Sequence, residues 1–274
     1  IISLCEKKHL DIWRKNTNYI PRYIKGSAYT LIVPKNQLKL FKKYTNNIYN
    51  IKVDENFISK KNLNYLKAKF KKNKDRINWI KQNLIKLEAG CKSEYENILI
   101  WDADTVPIKN ISFFSGKKLK YYTSKENELS YHTINKKLLN YESPQFSFIS
   151  QCIITKVSWM KKMKLKIQKK FKKQWITAII DLMDLKSQNP ISEYELIGVF
   201  NLNNFKHLMK FTKNNWSRFG YSLIGSVENL DKNIKKLSRN YDYISFEKWE
   251  KNIILRKYYT YLTIFTKNLK IFFG

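Results

Sequence analysis

The chain has 274 residues, of which 43% are apolar, so it is long enough and apolar enough to bury a core, and intrinsic disorder is excluded. Only seven Gly and five Pro occur, and no internal period or Ser/Gly tract divides the chain, which argues against a repeat array or a flexible linker. Lys and Arg number 53 against 22 Asp and Glu, a formal net charge of +31 that favours acidic partners.

This excess of positive charge has three interpretations. Clustered Lys and Arg neutralise phosphate, which fits nucleic acid, and they are also attracted to an anionic membrane. Lys, Asn and Ile are abundant throughout, so part of the excess fits compositional drift in an AT-rich coding sequence. We favour drift together with membrane attraction and disfavour nucleic acid as the partner.

The cysteines and the first residues indicate a reducing compartment. Cys5, Cys91 and Cys152 are odd in number and have no C-x-x-C spacing, so we predict reduced core residues. The first ten residues become charged too soon for a signal peptide, and no run of 18 apolar residues is long enough to span a bilayer. A cytoplasmic protein follows, with peripheral contact to the inner face of the membrane as an extension of this prediction.

Short apolar runs alternate with helical patterns through the first two thirds of the chain. Strands are predicted at residues 1–5, 29–34 and 48–53. Apolar residues recur at helical spacing over 75–92, which predicts a helix leading into a strand at 97–101. Alternation of this kind predicts an α/β fold with a mainly parallel central sheet flanked by helices.

The second half continues with strands predicted at 118–123 and 146–155. Eight lysines fall within 159–173, which predicts a solvated basic helix. Helices are predicted from 174 to 185 and from Ser192 onward.

The C-terminal part is predicted as a separate, mainly helical extension. We divide the chain into a first domain at 1–225 and an extension at 226–274 with one short strand at 242–246. From Tyr258 to Phe273, aromatic and aliphatic residues share one helical stripe opposite lysines and threonines. Such a helix either covers the domain or lies in a membrane interface.

Two carboxylates follow the strand at 97–101, namely Asp102 and Asp104. Ligands of open α/β sheets collect at the carboxyl ends of the strands. Two acids this close repel each other unless a cation lies between them, and hard oxygen ligands suit Mg²⁺ or Mn²⁺, which keeps positions free for a diphosphate. The alternative is that one aspartate caps the next turn and the other is solvated.

The segment IKLEAGCKSEYENILIWDADTVPIKNISFF (85–114) resembles the glycogenin and lipopolysaccharide-galactosyltransferase group of nucleotide-sugar glycosyltransferases, which have the GT-A fold and a D-x-D metal motif after a strand. The segments RINWIKQNLIKL, WDADTVPI, SFISQCII and SEYELIGVF, in this order, resemble a bacterial glycosyltransferase family from polysaccharide gene clusters. This second resemblance covers about residues 1–225. It implies a GT-A transferase that extends a bacterial surface glycan or glycolipid.

The resemblance also implies roles for individual residues. Asp102 and Asp104 would bind Mn²⁺ or Mg²⁺ and, through it, the diphosphate of a nucleotide-sugar, expected to be UDP-linked. Lys86, sixteen residues before Asp102, would offset the charge of the donor. Arg76 and Gln82 share the helix with Lys86, so they are donor-contacting candidates, with exposure to solvent as the alternative.

Two features depart from the glycogenin group. Its C-terminal His-x-x-Gly-x-x-Lys-Pro segment, whose histidine completes the metal site, has no counterpart here, which leaves His207 as the candidate third ligand and a structural role as its alternative. The group's Asn-x-Gly strand corresponds at best to Ser150 and Gln151, so Gln151 is a donor-binding candidate. The donor sugar of the glycogenin group therefore cannot be assigned to this chain.

The segment SEYELIGVF (192–200) supplies candidate catalytic acids. Ser192 followed by Glu195 has the spacing of a capping box, which gives Glu195 a structural interpretation beside a catalytic one. Glu193 lies in the first helical turn, where the helix dipole favours its ionised form, so we predict it as the base that takes the acceptor proton in an inverting reaction. In a retaining enzyme either acid would instead orient the acceptor or stabilise positive charge.

Two rival functions stay open. LIWDADTV also fits the D-x-D-x-[TV] pattern of haloacid-dehalogenase phosphatases, in which the first Asp is a nucleophile. About 100 residues with three predicted strands precede Asp102, however, and the late Gly-Asp-x-x-x-Asp metal segment of that superfamily has no counterpart. A non-enzymatic basic protein that binds polyanions fits the charge but leaves the acidic residues without a role.

Overall fold

The computed structural model describes residues 1–126, 128–212 and 215–252. Its strands are β1 (Ile2–Leu4), β2 (Tyr29–Val33), β3 (Tyr49–Val53), β4 (Asn97–Trp101), β5 (Thr105–Pro107), β6 (Phe114–Ser115), β7 (Lys118–Tyr122), β8 (Cys152–Lys156), β9 (Met209–Thr212), β10 (Trp216–Ser217) and β11 (Tyr243–Ser245). Its helices are α1 (Leu10–Tyr23), α2 (Leu38–Tyr44), α3 (Lys60–Lys69), α4 (Lys74–Lys92), α5 (Leu129–Leu139), α6 (Val157–Phe171), α7 (Trp175–Leu182), α8 (Glu193–Phe205), α9 (Gly220–Ile224) and α10 (Leu230–Leu237).

The central sheet has five strands in the order β3-β2-β1-β4-β8. The first four run parallel, and β8 runs antiparallel to β4, with Trp101 opposite Cys152. Residues 98–101 are all buried, as expected for a strand covered on both faces. The predicted α/β class, with a mainly parallel sheet flanked by helices, is confirmed.

The strand order changes direction after β3. The chain moves outward from β1 through β2 to β3 and then returns to the other side of β1 with β4. Right-handed crossovers therefore place α1 and α2 on one face of the sheet and α4 on the other. The carboxyl ends of β1 and β4 flank the switch point, where open α/β sheets bind their ligands.

The face of the sheet that carries α4 is also covered by α6 and α8, which contact α4 and β8. Helix α4 is buried along most of its second half, from Asn83 to Cys91. The three cysteines are free and buried, as predicted. The basic helix predicted at 159–173 exists as α6, but it is not solvated all round, because Trp159, Met163 and Ile167 are buried in the core.

The strand predicted at 146–155 is only half correct, because β8 begins at Cys152. Residues before it form a loop, in which the backbone N–H of Phe148 donates to the Glu195 carboxylate at 2.7 Å. Gln151, which directly precedes β8, has a φ of +64°, in the left-handed region that non-glycine residues rarely occupy. The hydrogen bond of Phe148 to Glu195 and the left-handed conformation of Gln151 thus prevent residues 146–151 from extending the hydrogen-bonded ladder of β8.

Two three-stranded sheets extend the core, one in the order β10-β11-β5 and one in the order β6-β7-β9. β11 confirms the short strand predicted at 242–246, and it pairs antiparallel with β5, directly after the two aspartates. The domain boundary after residue 225 remains a prediction. The amphipathic helix predicted over Tyr258–Phe273 lies outside the described residues.

In the ranges that the structure describes, no helix is both long enough and apolar enough to cross a bilayer.

Candidate active site

A cleft of about 1420 Å³ opens at the switch point between β1 and β4. A second cavity, of about 1440 Å³, opens at the opposite edge of the sheet, where β1, β2 and β4 begin, and it contains neither aspartate. The cleft between β1 and β4 brings together most of the predicted site residues, which come from α4, from the end of β4, from the start of β8 and from α8: Arg76, Gln82, Lys86, Asp102, Asp104, Gln151 and Glu193.

Lys86 joins two of the acids at the floor of the cleft. Its Nζ lies 2.5 Å from Asp102 Oδ1 and 2.6 Å from Glu193 Oε1, and it lies 4.8 Å from the centroid of the Tyr194 ring. Lys86 and Glu193 are buried, whereas the Asp102 side chain keeps 19% of its surface exposed. One ammonium group thus compensates two carboxylates that line the cleft, of which Asp102 is the more exposed.

The charges of this group depend on both burial and pairing. Burial alone would lower the pKa of Lys86, but Asp102 and Glu193 reverse this effect and raise it, so the ammonium stays protonated. Burial raises the pKa of Glu193 above its ordinary value although Lys86 opposes the shift. The predicted influence of the helix dipole on Glu193 is therefore outweighed by desolvation.

Asp104 lies in a less balanced environment. Burial, followed by the charges of Glu247 and Asp102, raises the pKa of Asp104 well above its ordinary value. Its Oδ2 lies 3.6 Å from His9 Nδ1. Burial and the neighbouring Lys8 lower the pKa of His9 to about 4, so His9 is neutral at pH 7 and this contact is not an ion pair.

Gln151 links Asp102 to a second basic residue of the cleft, Arg218. With the side-chain amide oriented to satisfy its neighbours, Gln151 Nε2 donates to Asp102 Oδ2 at 2.9 Å and Oε1 accepts from Arg218 Nη2 at 2.5 Å. Arg218 also bonds Glu126 through Nη1 and lies 3.5 Å from Glu247 through Nη2. The left-handed backbone conformation thus occurs at a residue whose side-chain amide bonds both Asp102 and Arg218.

The far wall of the cleft carries Arg76, Trp79 and Gln82 on α4. Arg76 Nη2 donates to Asn189 Oδ1 at 2.6 Å, and its guanidinium lies 4.6 Å from the centroid of the Trp79 ring. Gln82 is half-buried at the same wall. Both polar side chains predicted from α4 thus face the cleft rather than bulk solvent.

The structure does not bring Glu195 or His207 to the cleft. Glu195 is buried in the first turn of α8, where its carboxylate accepts hydrogen bonds from Ser147 Oγ and Phe148 N, and its own N–H donates to Ser192 Oγ at 3.3 Å. Only the Ser192 half of the predicted capping box is thus present, because the Glu195 carboxylate bonds Ser147 and Phe148 in place of the Ser192 N–H. His207 is exposed in the short turn Lys206–Leu208 after α8 and is not among the residues that line the cleft.

The cleft residues that the sequence did not predict include His9, Glu126, Arg218 and Glu247. Glu247 reaches the site because Phe246 N–H donates to the Asp104 carbonyl at 2.8 Å, next to the β5–β11 pairing. No local pattern marks Arg218 or Glu247, since only the long-range pairing of β10 and β11 with β5 brings them to the cleft. His9 follows the first strand, which is the one signal that places it near the switch point.

Asp102 and Asp104 fit a hard divalent cation. Their side chains are 19% and 15% exposed, they share one end of the cleft, and each carboxylate oxygen has two lone pairs, so a hydrogen bond leaves one free for a metal. Among the residues described, no three His, Cys, Asp or Glu side chains are grouped closely enough to hold a metal ion by themselves. Oxygens from a substrate or water would complete the coordination, as is usual for Mg²⁺.

One protein-family model, described as a family of unknown function (DUF6492), matches residues 18–223. The chain belongs to this family. The match to DUF6492 includes both aspartates, Lys86, Glu193 and Arg218, and ends before β11 and Glu247. No curated protein sequence matches this member of DUF6492 significantly.

Several solved structures align with this DUF6492 member at very low sequence identity. Mouse xyloside xylosyltransferase 1, in its apo form, aligns over 90% of this chain and 97% of its own, with a TM-score of 0.46 and 10% identity. The WbbM bifunctional glycosyltransferase, also apo, aligns over 89% of this chain and 45% of its own, with a TM-score of 0.44 and 10% identity. The galactosyltransferase LgtC, in complex with donor and acceptor sugar analogs, aligns over 89% and 86%, with a TM-score of 0.43 and 9% identity. All three TM-scores are below 0.5.

Proposed function

We propose that this protein is a metal-dependent glycosyltransferase of the GT-A type that uses a nucleotide-sugar, in the first place a UDP-sugar. The observation that carries the proposal is the pair Asp102 and Asp104 at the carboxyl end of β4, open to a cleft of about 1420 Å³. The resemblance of residues 85–114 to nucleotide-sugar glycosyltransferases supports the same assignment. The proposed acceptor is a bacterial surface glycan or a lipid-linked precursor of it, reached from the cytoplasmic side of the membrane.

Asp102 and Asp104 are the residues that would hold Mn²⁺ or Mg²⁺. A bound divalent cation supplies Lewis-acid stabilisation for the negative charge of the departing nucleoside diphosphate. Asp102 is suited to this role because Lys86 bonds its Oδ1 and Gln151 bonds its Oδ2, which fixes the orientation of the carboxylate. Pre-organised ligands bind an ion without the cost of ordering them first.

The chain's own cations would act on the donor. Lys86 carries a permanent positive charge beside Asp102, so it offsets charge that appears on the diphosphate during bond breaking. Arg76 presents a guanidinium on the opposite wall, where Asn189 and Trp79 orient it toward the cleft. Gln82, between these two positions on α4, offers an amide for hydrogen bonds to the sugar or the nucleotide.

Glu193 is the proposed base. In an inverting transfer, the acceptor oxygen forms a bond to the anomeric carbon while the bond from that carbon to the diphosphate oxygen breaks, and the acceptor proton passes to the Glu193 carboxylate. Burial raises the pKa of Glu193, which makes the carboxylate a stronger base, and the neighbouring Lys86 ammonium opposes this rise. In a retaining transfer, Glu193 would orient the acceptor hydroxyl and hold positive charge on the sugar.

The proposal is tested by measuring Mn²⁺-dependent hydrolysis of UDP-, GDP- and CMP-sugars alongside a panel of phosphomonoesters. We expect turnover of a nucleotide-sugar that stops on removal of divalent cations. Turnover of phosphomonoesters alone would instead assign Asp102 as a phosphatase nucleophile. Salt-sensitive binding of oligonucleotides without any turnover would favour a polyanion-binding protein.

The decisive variant is Asp104→Asn, which keeps the shape of the side chain and removes the charge that a cation needs. We expect loss of hydrolysis with an unchanged unfolding midpoint. Asp184→Asn is the matched control, because Asp184 is exposed outside the cleft and its carboxylate accepts the Lys186 N–H at 2.9 Å, a bond that the Asn side-chain oxygen can also accept. Activity of Asp104→Asn equal to that of the control would contradict the metal role.

A further inference from the structure

The positive charge of the protein lies outside the cleft. The cleft is lined by six acidic and six basic residues, so the formal charge of +31 falls on the rest of the chain. The richest basic element in the described part is α6 with its C-cap, which contains no Asp or Glu. Its exposed side forms what we name the basic stripe, which consists of Lys161, Lys162, Leu165, Lys169 and Lys172.

The basic stripe follows from the helical period. Positions 161, 165, 169 and 172 are separated by four, four and three residues, so they lie along one side of the helix. The opposite side carries Met160, Met163 and Ile167, all buried in the core. From Lys161 to Lys169 the stripe spans about 12 Å of helix axis. The lysines are therefore presented by a helix whose other side is fixed by core packing.

The lysines of the basic stripe lack acidic partners. Elsewhere on and near α6, Lys164 lies 3.5 Å from Glu88 and Lys173 lies 2.7 Å from Asp181. Within the described ranges, none of the four stripe lysines forms a salt bridge. Leu165 lies among them with 65% of its surface exposed. Lys162 lies 5.5 Å from the centroid of the Phe205 ring, so its contact is aromatic rather than acidic. An apolar side chain among ammonium groups that form no salt bridge is the pattern of an interfacial helix.

We propose that the basic stripe docks the protein on an anionic phospholipid bilayer, with the lysines at the headgroups and Leu165 inserted between them. The charge is complementary to acidic lipids, and the stripe is a convex helix surface rather than a groove. Nucleic acid is less well matched, because Trp159 of α6 is buried and stacked on Phe205, with ring centroids 4.2 Å apart, and is not open to a base.

The experiment is sedimentation of the full chain with vesicles of phosphatidylcholine alone or with 30% phosphatidylglycerol. We expect binding only to the anionic vesicles and a decrease with salt. Lys161→Gln/Lys169→Gln should weaken binding by about 25-fold, since each lysine near an anionic surface contributes roughly fivefold. Leu165→Gln should weaken it by about tenfold, because it removes the inserted side chain.

The matched control is Lys39→Gln/Lys42→Gln, which removes the same charge from exposed positions of α2, on the opposite face of the sheet. We expect near-wild-type binding for this control. Equal losses in the two double variants would overturn the proposal, because they would show attraction by net charge alone. Stripe-dependent binding to a 20-nucleotide RNA that is tighter than binding to anionic vesicles would also overturn it.

The outcome is independent of the proposed transferase chemistry, because vesicle binding needs no donor. Asp104→Asn should bind anionic vesicles as the wild type does, whatever its hydrolytic activity.

Discussion

Replacement of Lys86 by Met tests whether one buried ammonium holds the floor of the cleft together. Lys86 is 8% exposed, and its Nζ bonds Asp102 at 2.5 Å and Glu193 at 2.6 Å. Met keeps most of the apolar stem and removes the charge, which leaves Glu193 buried without its cation. Removing one partner of a buried ion pair costs about 3–5 kcal/mol, so we expect a loss of free energy of unfolding in this range at pH 7.

The assay is urea unfolding of Lys86→Met, Glu193→Gln and the double variant. If the cost comes from a stranded carboxylate, adding Glu193→Gln to Lys86→Met should restore part of the lost stability. A loss below about 1 kcal/mol for Lys86→Met, or strictly additive effects in the double variant, would refute this reasoning.

The same series has a defined pH dependence. Burial raises the pKa of Glu193 in the folded state, and the loss of Lys86 removes the main opposing effect, so it raises this pKa further. A carboxyl group whose pKa is higher in the folded state than in the unfolded state stabilises the folded state at low pH. This stabilisation is complete below the unfolded-state pKa and is lost as pH rises through the folded-state pKa. The stability deficit of Lys86→Met relative to wild type should therefore shrink as pH falls toward about 4.

Three further predictions concern the same region. Burial and Glu247 raise the pKa of Asp104, so Mn²⁺ affinity measured by calorimetry should increase as rising pH deprotonates Asp104. Glu247→Gln should move this increase to lower pH. A flat profile of affinity from pH 5 to 8 would count against this prediction. A Cβ at Gly198 would lie 2.1 Å from Phe148 Cγ, so Gly198→Ala should lower the free energy of unfolding by about 1–3 kcal/mol in a urea titration, and an unchanged midpoint would contradict the packing. The imidazole of His9 should titrate in NMR spectra with a pKa of about 4, and a value above 6 would show that burial does not control it.

The parallel half of the sheet was predictable because its strands carry a strong local signal. The runs at 29–33 and 97–101 are apolar on both faces, and the helix over 74–92 shows a clear apolar period. The start of β8 was not predictable in the same way. Residues 146–151 have strand-like composition, but Glu195 captures the backbone of Phe148, so a contact across 47 residues overrides local propensity.

The candidate site was likewise predictable where the signal is local in the sequence, and not where it depends on long-range contacts. Asp102 and Glu193 were identified because a strand end and a helix start each leave a pattern in the sequence, and Lys86 was identified through the resemblance to nucleotide-sugar glycosyltransferases. Gln151 was also predicted, but its partner Arg218 and the nearby Glu247 were not, because the pairing of the short strands β5, β10 and β11 that positions them leaves no local pattern in the sequence. His207 was selected for its residue type and position in the chain, and the fold places it on an exposed turn.

The balance of charge inside the cleft explains why a cation matters for the proposed reaction. A cleft lined only by Lys and Arg would hold a diphosphate without help, but here burial and the charge of Asp102 raise the pKa of both Asp104 and Glu247. A diphosphate that approached these carboxylates alone would be repelled, whereas a cation between them would attract both. Since Lys86 and Arg218 are already engaged by carboxylates, they cannot remove this repulsion fully. The strong net charge of the chain therefore does not describe the cleft. The chemistry of the cleft depends on carboxylates that the neighbouring Lys and Arg side chains neutralise only in part.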